Sequence, residues 1–428
     1  MLKQLKKGNT FDTLAVLMLK VVGVILLFGV TSYLTNNFEA SLVGKYDFTR
    51  SVLLVFGGLT VLGMNQSIVY YGGFFRAKSN LSAIKNVYYK MLFIIFCVAV
   101  LIATVYYVIP SSVIFHLVED KTTVNLLGKI IFSIGFFAVM LLSFDTLRGL
   151  GFIKTSEVFK NVFRYVPFFI AVIYLNYWQK DSYLVDVFLL NFVFLALVSA
   201  SYTIFKLRGY SQSNKAIQLK KREIINRSYP MAISFIAYIL LQSTDIILLS
   251  HLESYEMTAY YAVAVKIATA LSLVLLSVNT VIAPQIAQFF EEKKWDKINQ
   301  IISKSTRLIF VLTLPGVVIL VLFGNYILGL FGQDYTQSYK ALLLLLVGQI
   351  VNAGFGPIGT YMNMTGKQNK LQIILIFAVV INIILNYILI PVYGIEGAAF
   401  STAFTTILWN SMASIYVYRK EQVKTFLN

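Results

Sequence analysis

Charged side chains are scarce in this sequence. Only 13% of its 428 residues are Asp, Glu, Lys or Arg, and 58% are hydrophobic. Soluble globular domains carry about 25% charged residues. The mean hydropathy of +0.75 points the same way. The composition therefore excludes an ordinary soluble domain and indicates an integral membrane protein.

Several kinds of catalytic or binding residue are also rare. The single cysteine, Cys97, excludes an intrachain disulfide, and there are only two histidines in the chain. The sequence has no zinc-ligand spacing and no G-x-x-x-x-G-K-[ST] phosphate loop, so it does not hydrolyse ATP by that route. These absences predict a protein that is not an enzyme and holds no resident cofactor or metal.

What the sequence does contain is long apolar runs. About 20 apolar residues span the hydrocarbon core of a bilayer as a helix. Twelve runs reach that length, so we predict an all-α membrane protein with twelve transmembrane helices. The runs cover residues 11–33, 47–71, 88–109, 124–145, 160–178, 183–205, 229–251, 258–283, 306–329, 337–362, 369–390 and 395–418.

Basic residues alternate from loop to loop. Most of the 36 Lys and Arg residues lie before the first run, after the last run, or in every second loop. The positive-inside rule places these segments in the cytoplasm, together with both chain ends. This distribution accounts for the net charge of +17 without a nucleic-acid partner. We therefore expect a multi-pass membrane protein with both chain ends on the cytoplasmic side.

The middle of the chain contains a polar, basic stretch. It predicts two six-helix lobes, 1–210 and 229–428, joined by a cytoplasmic linker at 211–228. An offset of roughly half the chain aligns Asn65 with Asn279, and the flanking runs align with it. Six intervening helices preserve orientation, so the repeat would be parallel, about an axis normal to the membrane. Such a pair of lobes would enclose a central cleft.

A few charges fall inside or at the edge of the apolar runs. Lys20, Arg50, Lys266 and Arg148 are basic, and Asp245 is the only charge in its run. Intramembrane charges are costly and usually face a partner or a water-filled cavity. For Arg50 and Arg148 there is an alternative to a partner or cavity, because their long side chains can snorkel to the lipid headgroups. Lys20 and Lys266 lie deeper.

For the two deep lysines the alternatives are a buried ion pair, with Asp245 available, or a cavity lining. The basic excess of this set suits an anionic ligand such as a phosphate or pyrophosphate. Asp245 would orient one of the cations or accept a coupling cation.

Helix-breaking and polar residues mark further positions. Pro284 ends one run, and Gly356 and Pro357 interrupt another. Broken helices in transporters line cavities or act as hinges, and a static packing kink is the alternative. Asn65 and Asn279 are expected to make interhelical hydrogen bonds or to assist coupling.

Local strings resemble one known superfamily. They are Gly44-Lys-Tyr46, Asp245-Ile-Ile-Leu-Leu-Ser250, Tyr260-Tyr-Ala-Val-Ala-Val-Lys266, Ala283-Pro-Gln-Ile-Ala287, Met364-Thr-Gly-Lys367 and Pro391-Val-Tyr-Gly-Ile-Glu-Gly-Ala-Ala399. With the twelve runs and the repeat, they resemble the polysaccharide branch of the multidrug/oligosaccharidyl-lipid/polysaccharide (MOP) exporter superfamily, especially O-antigen flippases. The resemblance covers nearly the whole chain.

That resemblance implies a V-shaped, two-lobed transporter of the bacterial inner membrane that works by alternating access. It would move an undecaprenyl-pyrophosphate-linked oligosaccharide from the cytoplasmic to the periplasmic leaflet. The positions matching the cationic cavity are Lys20, Arg50 and Lys266, and also Arg148. The driving force would be an ion gradient, H⁺ or Na⁺, or removal of product outside. A polymerase and a chain-length regulator are candidate partners.

Two other function classes stay open at this point. A cation-coupled multidrug exporter of the same superfamily would favour acidic groups in its cavity. A membrane polysaccharide polymerase or ligase would need a large external loop, and the predicted external loops are short.

Overall fold

The computed structural model describes residues 7–77, 80, 82–118, 120–210 and 219–427, and within these ranges it contains helices and no strands. This confirms the predicted all-α membrane architecture. The α-helices are α1 (Lys7–Asn37), α2 (Ala40–Val61), α3 (Met64–Ala77), α4 (Ala83–Val108), α5 (Ser111–Val118), α6 (Lys121–Gly149), α7 (Ile153–Val158), α8 (Val166–Tyr177), α9 (Leu184–Arg208), α10 (Lys221–Leu252), α11 (Tyr255–Ala270), α12 (Ser272–Glu291), α13 (Trp295–Gly329), α14 (Tyr339–Phe355), α15 (Ile358–Met364) and α16 (Gln368–Glu421).

The described residues contain ten helical stretches that are long and apolar enough to cross a membrane, of which one joins α7 to α8 and another joins α11 to α12. A bent pair, α2 with α3, brings the number to eleven. The two members of that pair meet at 46°. Helix α16 has 54 residues and non-helical backbone angles at Gly394. At 1.5 Å per residue it would be about 80 Å long, which exceeds a bilayer more than twofold. The twelve-span count requires α16 to supply two spans, and it stays a prediction.

The chain divides into two compact units. One comprises Met1–Phe38 and Thr49–Ile239, and the other comprises Glu39–Phe48 and Leu240–Asn428. The first turns of α2 therefore belong to the second unit, although the rest of the helix belongs to the first.

Close backbone approach organises the core of the first unit. A Cβ built at Gly72 in α3 would lie 2.3 Å from the carbonyl oxygen of Gly149 in α6, so only glycine fits there. Arg76 spans the same contact and donates to the Gly149 carbonyl at 3.1 Å. Around it, large side chains such as Phe75 and Tyr88 are fully buried. The close approach lets these side chains interdigitate at the density of protein interiors.

Small residues have the same effect in the second unit. A Cβ at Gly44 would lie 1.6 Å from the carbonyl oxygen of Tyr255, at the start of α11. Gly348 of α14 packs on Ala403 of α16 in a similar way, with 3.1 Å between its built Cβ and the Ala403 Cα. The first contact holds the start of α2 against the start of α11.

Helix interruptions occur at one of the two predicted positions. α12 is continuous through Pro284, and the interruption of that span is a single residue, Leu271, between α11 and α12. In contrast, α14 ends at Phe355, and Gly356 has φ +60° and ψ −141° before α15 begins. A hinge role for either position stays a prediction.

Candidate functional site

A buried ion pair lies in the second unit. The ammonium of Lys266 in α11 is 2.8 Å from Oδ1 and 2.9 Å from Oδ2 of Asp47 in α2. Asp47 is 0% exposed and Lys266 is 6% exposed. The ring of Tyr46 adds a cation–π contact, with its centroid 5.8 Å from the Lys266 Nζ. Lys266 is thus neutralised by a carboxylate.

This pairing corrects the sequence interpretation of Lys266. The partner considered there was Asp245, which lies 21 positions away in the chain, and the structure supplies Asp47 instead. Asp47 stands directly after the Gly44-Lys-Tyr46 string, at the start of an apolar run. Counting it as a potential partner would have reduced the basic excess on which the anionic-ligand argument depends.

Asp245 forms a separate buried cluster. Its carboxylate, 1% exposed, accepts hydrogen bonds from the Tyr261 hydroxyl at 2.5 Å and the Thr402 hydroxyl at 3.0 Å. The backbone N–H of Ile246 donates to it at 2.9 Å. All these partners are neutral, so the structure leaves the Asp245 charge without a counter-charge from the described side chains.

Polar groups continue from this cluster into α16. The Thr405 hydroxyl donates to the Ser401 carbonyl at 2.8 Å, with a longer contact of 3.2 Å to the Thr402 carbonyl, and accepts from Asn382 at 3.2 Å. Asn386 donates to Asn382 at 3.1 Å, and its own Oδ1 is buried without a hydrogen-bond partner in the described part of the chain. The cluster offers carboxylate, hydroxyl and amide oxygens, which are the ligands of hard cations and of protons. Within the described residues, no three His, Cys, Asp or Glu side chains come together.

A third buried group lies in the first unit. Asp145 of α6 pairs with Lys160, and Asn65 of α3 donates to the other Asp145 oxygen at 3.4 Å. Lys160 lies in a π-helical turn, Phe159–Phe163, between α7 and α8. Single π-helical turns occur often at functional sites. Sequence reasoning placed Lys160 at the start of the run 160–178 and did not identify this pair.

The other predicted basic residues occupy different environments. Lys20 lies in α1 and is half-buried, and no described carboxylate forms an ion pair with it. Arg50 is half-buried in α2, in the first unit. Arg148 is exposed in the last turn of α6, which agrees with its snorkelling alternative. Their substrate roles stay predictions.

The remaining predicted polar residue is Asn279. It lies half-buried in α12, and its Oδ1 is a buried atom with no partner from the described residues. The expected interhelical hydrogen bond is therefore not made by this oxygen.

Two protein-family models match the sequence of this chain. A family model described as polysaccharide biosynthesis protein matches residues 11–290, and a model described as MatE matches residues 230–388. The first of these covers more than half of the chain.

Among curated relatives, two come from Haloferax volcanii. The probable low-salt glycan biosynthesis flippase Agl15 is 29% identical over 178 residues, and the probable flippase AglR is 27% identical over 172 residues. Each match covers 40% of this chain and 36% of the relative. The chain is thus matched to about a third of the length of these relatives.

The fold has solved counterparts. The lipid II flippase MurJ in its inward closed conformation superposes with a TM-score of 0.70 at 14% identity. The superposition covers 95% of this chain and 87% of MurJ. At this identity the likeness establishes the fold alone.

Proposed function

We propose that this chain, which belongs to the polysaccharide biosynthesis protein family of the MOP superfamily, is a flippase for lipid-linked oligosaccharides. The observation that carries the proposal is the set of ionisable side chains within the apolar helices of a member of this family. Such groups are expensive in a bilayer and mark substrate or ion pathways. A glycan carried on a lipid phosphate needs such a pathway, because neither its sugars nor its phosphates cross hydrocarbon unaided.

The finer proposal concerns the substrate and the residues that bind it. The substrate would be an undecaprenyl-pyrophosphate-linked repeat unit of an O-antigen or similar surface polysaccharide, moved from the cytoplasmic to the periplasmic leaflet by alternating access. Lys20 and Arg50 would bind the pyrophosphate, because both are half-buried cations in apolar helices. Lys266 would take part only where its pair with Asp47 separates.

Energy coupling would use Asp245. A carboxylate buried among neutral partners favours uptake of a cation, because the ion restores neutrality in a low-dielectric site. H⁺ or Na⁺ would fit the oxygen donors that Asp245 and Thr402 provide, and no further cofactor is proposed. Substitution of Asp245 by Asn, which retains the side-chain shape, would then remove the dependence of transport on an ion gradient. Asp186, a half-buried carboxylate paired with the exposed Lys129, is the matched control.

The cellular setting follows from the charge distribution. Both termini would lie in the cytoplasm, because most of the basic residues fall in that set of loops. We place the protein in the inner (plasma) membrane, where lipid-linked repeat units would be made and polymerised. A polysaccharide polymerase and a chain-length regulator would act on the exported units.

The test is a flipping assay in vesicles. Purified protein is reconstituted with a fluorescent undecaprenyl-pyrophosphate-linked oligosaccharide, and a membrane-impermeant quencher reports the fraction in each leaflet. We expect exchange between leaflets only with the protein, and at least tenfold slower exchange for Lys20→Glu. Lys297→Glu, which reverses an exposed charge on α13, should exchange at the wild-type rate.

A multidrug exporter is the second candidate, because the MatE model matches residues 230–388. The same vesicles separate the two functions. Uptake of a lipophilic cation without exchange of the lipid-linked glycan would favour the exporter and contradict the flippase.

A further inference from the structure

The end of α16 continues into a short folded segment that crosses the break between α14 and α15. Helix α16 ends at Glu421, and Gln422 turns the chain with φ +56°. Residues 422–427, termed here the strap, then run back along the helices. Val423 and Thr425 are both 0% exposed, so the strap is packed and not a loose tail.

Three neighbouring elements hold the strap. The hydroxyl of Thr306 in α13 donates to the carbonyl of Thr425 at 3.1 Å. The hydroxyl of Ser414 in α16 lies 2.7 Å from that of Thr425. The backbone N–H of Leu427 donates to the carbonyl of Gly354 in α14 at 2.8 Å. The strap therefore connects α13, α14 and α16.

The contact with Gly354 replaces a bond that the helix break removes. In a continuous helix the Gly354 carbonyl would accept from the N–H of residue 358. The backbone of Gly356, with φ +60°, ends the helix before that bond forms. Gly354 is half-buried, and a carbonyl shielded from water without a partner is costly, so the Leu427 N–H satisfies it. The strap thus stabilises the broken form of α14–α15.

Further contacts are made at the break itself and on its α15 side. A Cβ at Gly356 would lie 2.2 Å from the Thr306 hydroxyl oxygen, so Thr306 contacts both the break and the strap. On the α15 side, Glu421 accepts from Tyr361 at 2.5 Å and pairs with Lys367 at 2.6 Å. The end of α16 is therefore attached to α15, and the strap that follows it is attached to α14.

Space beside the break allows this arrangement to change. A cavity of about 290 Å³ is lined by Phe355, Ser414, Tyr418 and Phe426, among others. Phe355 is the last residue of α14 and Phe426 belongs to the strap. Side chains on both sides can therefore shift without first displacing a packed core.

From these contacts we infer that the strap is a lock that holds the α14–α15 break in one conformation, and that its release frees α15 to move. Discrete rearrangement at a helix break is a common way for a transporter to change state. The lock deepens the proposed function, because the broken helix belongs to the same unit as the Asp245 cluster.

Amide hydrogen exchange of the full chain tests the lock. Leu427→Pro removes the N–H that bonds to Gly354, and Leu427→Ala keeps it as the matched control. Thr306→Val removes the donor to Thr425 without loss of volume, and Thr313→Val is its control, a buried threonine on the same helix. We expect exchange in Ile358–Met364 to be about two- to tenfold faster in the first variant of each pair.

The results of the hydrogen-exchange experiment do not depend on whether the protein transports a glycan. Faster exchange in Thr306→Val alone supports the lock even if Leu427→Pro does not fold. Exchange in Ile358–Met364 that matches the controls in every folded variant would overturn it. Because no step measures glycan movement, loss of the flippase proposal in the vesicle assay would leave this result unchanged.

Discussion

Asp47 and Lys266 form a buried ion pair between side chains that are 219 positions apart in the sequence. Both carboxylate oxygens lie within 3 Å of the ammonium, and the pair connects the first turns of α2 to α11 inside the second unit. A pair in this setting holds two helices in a fixed relation, because separating the two charges in a buried site is costly.

The first prediction concerns this pair. Lys266→Met should destabilise the protein by about 3–5 kcal/mol, because it takes the ammonium away from the fully buried Asp47 carboxylate. Asp47→Asn should have a comparable effect. The combined Asp47→Leu, Lys266→Met variant should recover most of the loss, since neither charge remains. Unfolding of the purified protein, followed by intrinsic fluorescence, measures all three, and single variants as stable as wild type would contradict the pairing.

The second prediction compares two basic residues of the first unit, Lys160 in the π-helical turn and Arg148 in the last turn of α6. Lys160→Met should cost stability, because Asp145 is 7% exposed and loses its only described ionic partner. Arg148→Met should change stability by less than about 0.5 kcal/mol, since this residue is exposed. Parallel melting curves of the two variants provide the comparison. Equal effects of the two substitutions would argue against the importance of the Asp145 pair.

The third prediction follows from close backbone contact. Gly44→Ala should destabilise by at least about 1–3 kcal/mol, because the new Cβ would overlap the Tyr255 carbonyl. Gly73→Ala, where nothing lies within 4 Å of the built Cβ, should be neutral or slightly stabilising. The measurement is the expression yield and thermal stability of the Gly44→Ala and Gly73→Ala variants. A stable Gly44→Ala variant would show that α2 and α11 are not held at this distance.

The fourth prediction concerns pH and the start of α6. Burial alone would raise the pKa of the Asp120 carboxyl, but the Thr123 hydroxyl and the backbone N–H groups of Thr122 and Thr123 lower it below its ordinary value. A lowered folded-state pKa contributes stability that is present above the unfolded value, about 3.9, and is lost as pH falls through the folded value. The protection of amides in the first turn of α6, measured against their intrinsic exchange rates at each pH, should therefore fall under strongly acidic conditions.

Variants of Asp120 provide the controls. Asp120→Asn still caps the helix but cannot titrate, so its local stability should not depend on pH in the acidic range. Asp120→Ala removes the cap and should cost about 1 kcal/mol at neutral pH. An acid dependence that persists in Asp120→Asn would assign it to another group.

Much of the architecture was predictable from local patterns. The apolar runs identified the membrane class and most of the helices, because one run of about 20 residues must satisfy its own backbone within the bilayer. The run at 11–33 falls within α1, and the run at 183–205 corresponds to α9. The bend between α2 and α3 was not predicted. In the structure Leu62 and Gly63 both have positive φ at that point.

The candidate site was less predictable. Lys266 and Asp245 were recognised as buried charges because each stands alone in an apolar run. Their partners, Asp47 for one and Tyr261 with Thr402 for the other, were not recognised, since they lie on other helices. Hydropathy is a property of each apolar run taken separately. It carries no information on which helices pack together.

The sequence by itself determined that this chain is a helical membrane protein with ionisable groups inside its apolar runs. The reason is that the bilayer acts on each span separately, through the transfer free energy of its side chains and backbone. Only the tertiary structure decided which charges are neutralised and which are left among neutral partners. It also decided that the strap contacts the break between α14 and α15. These outcomes depend on contacts between residues far apart in the chain, which packing alone creates.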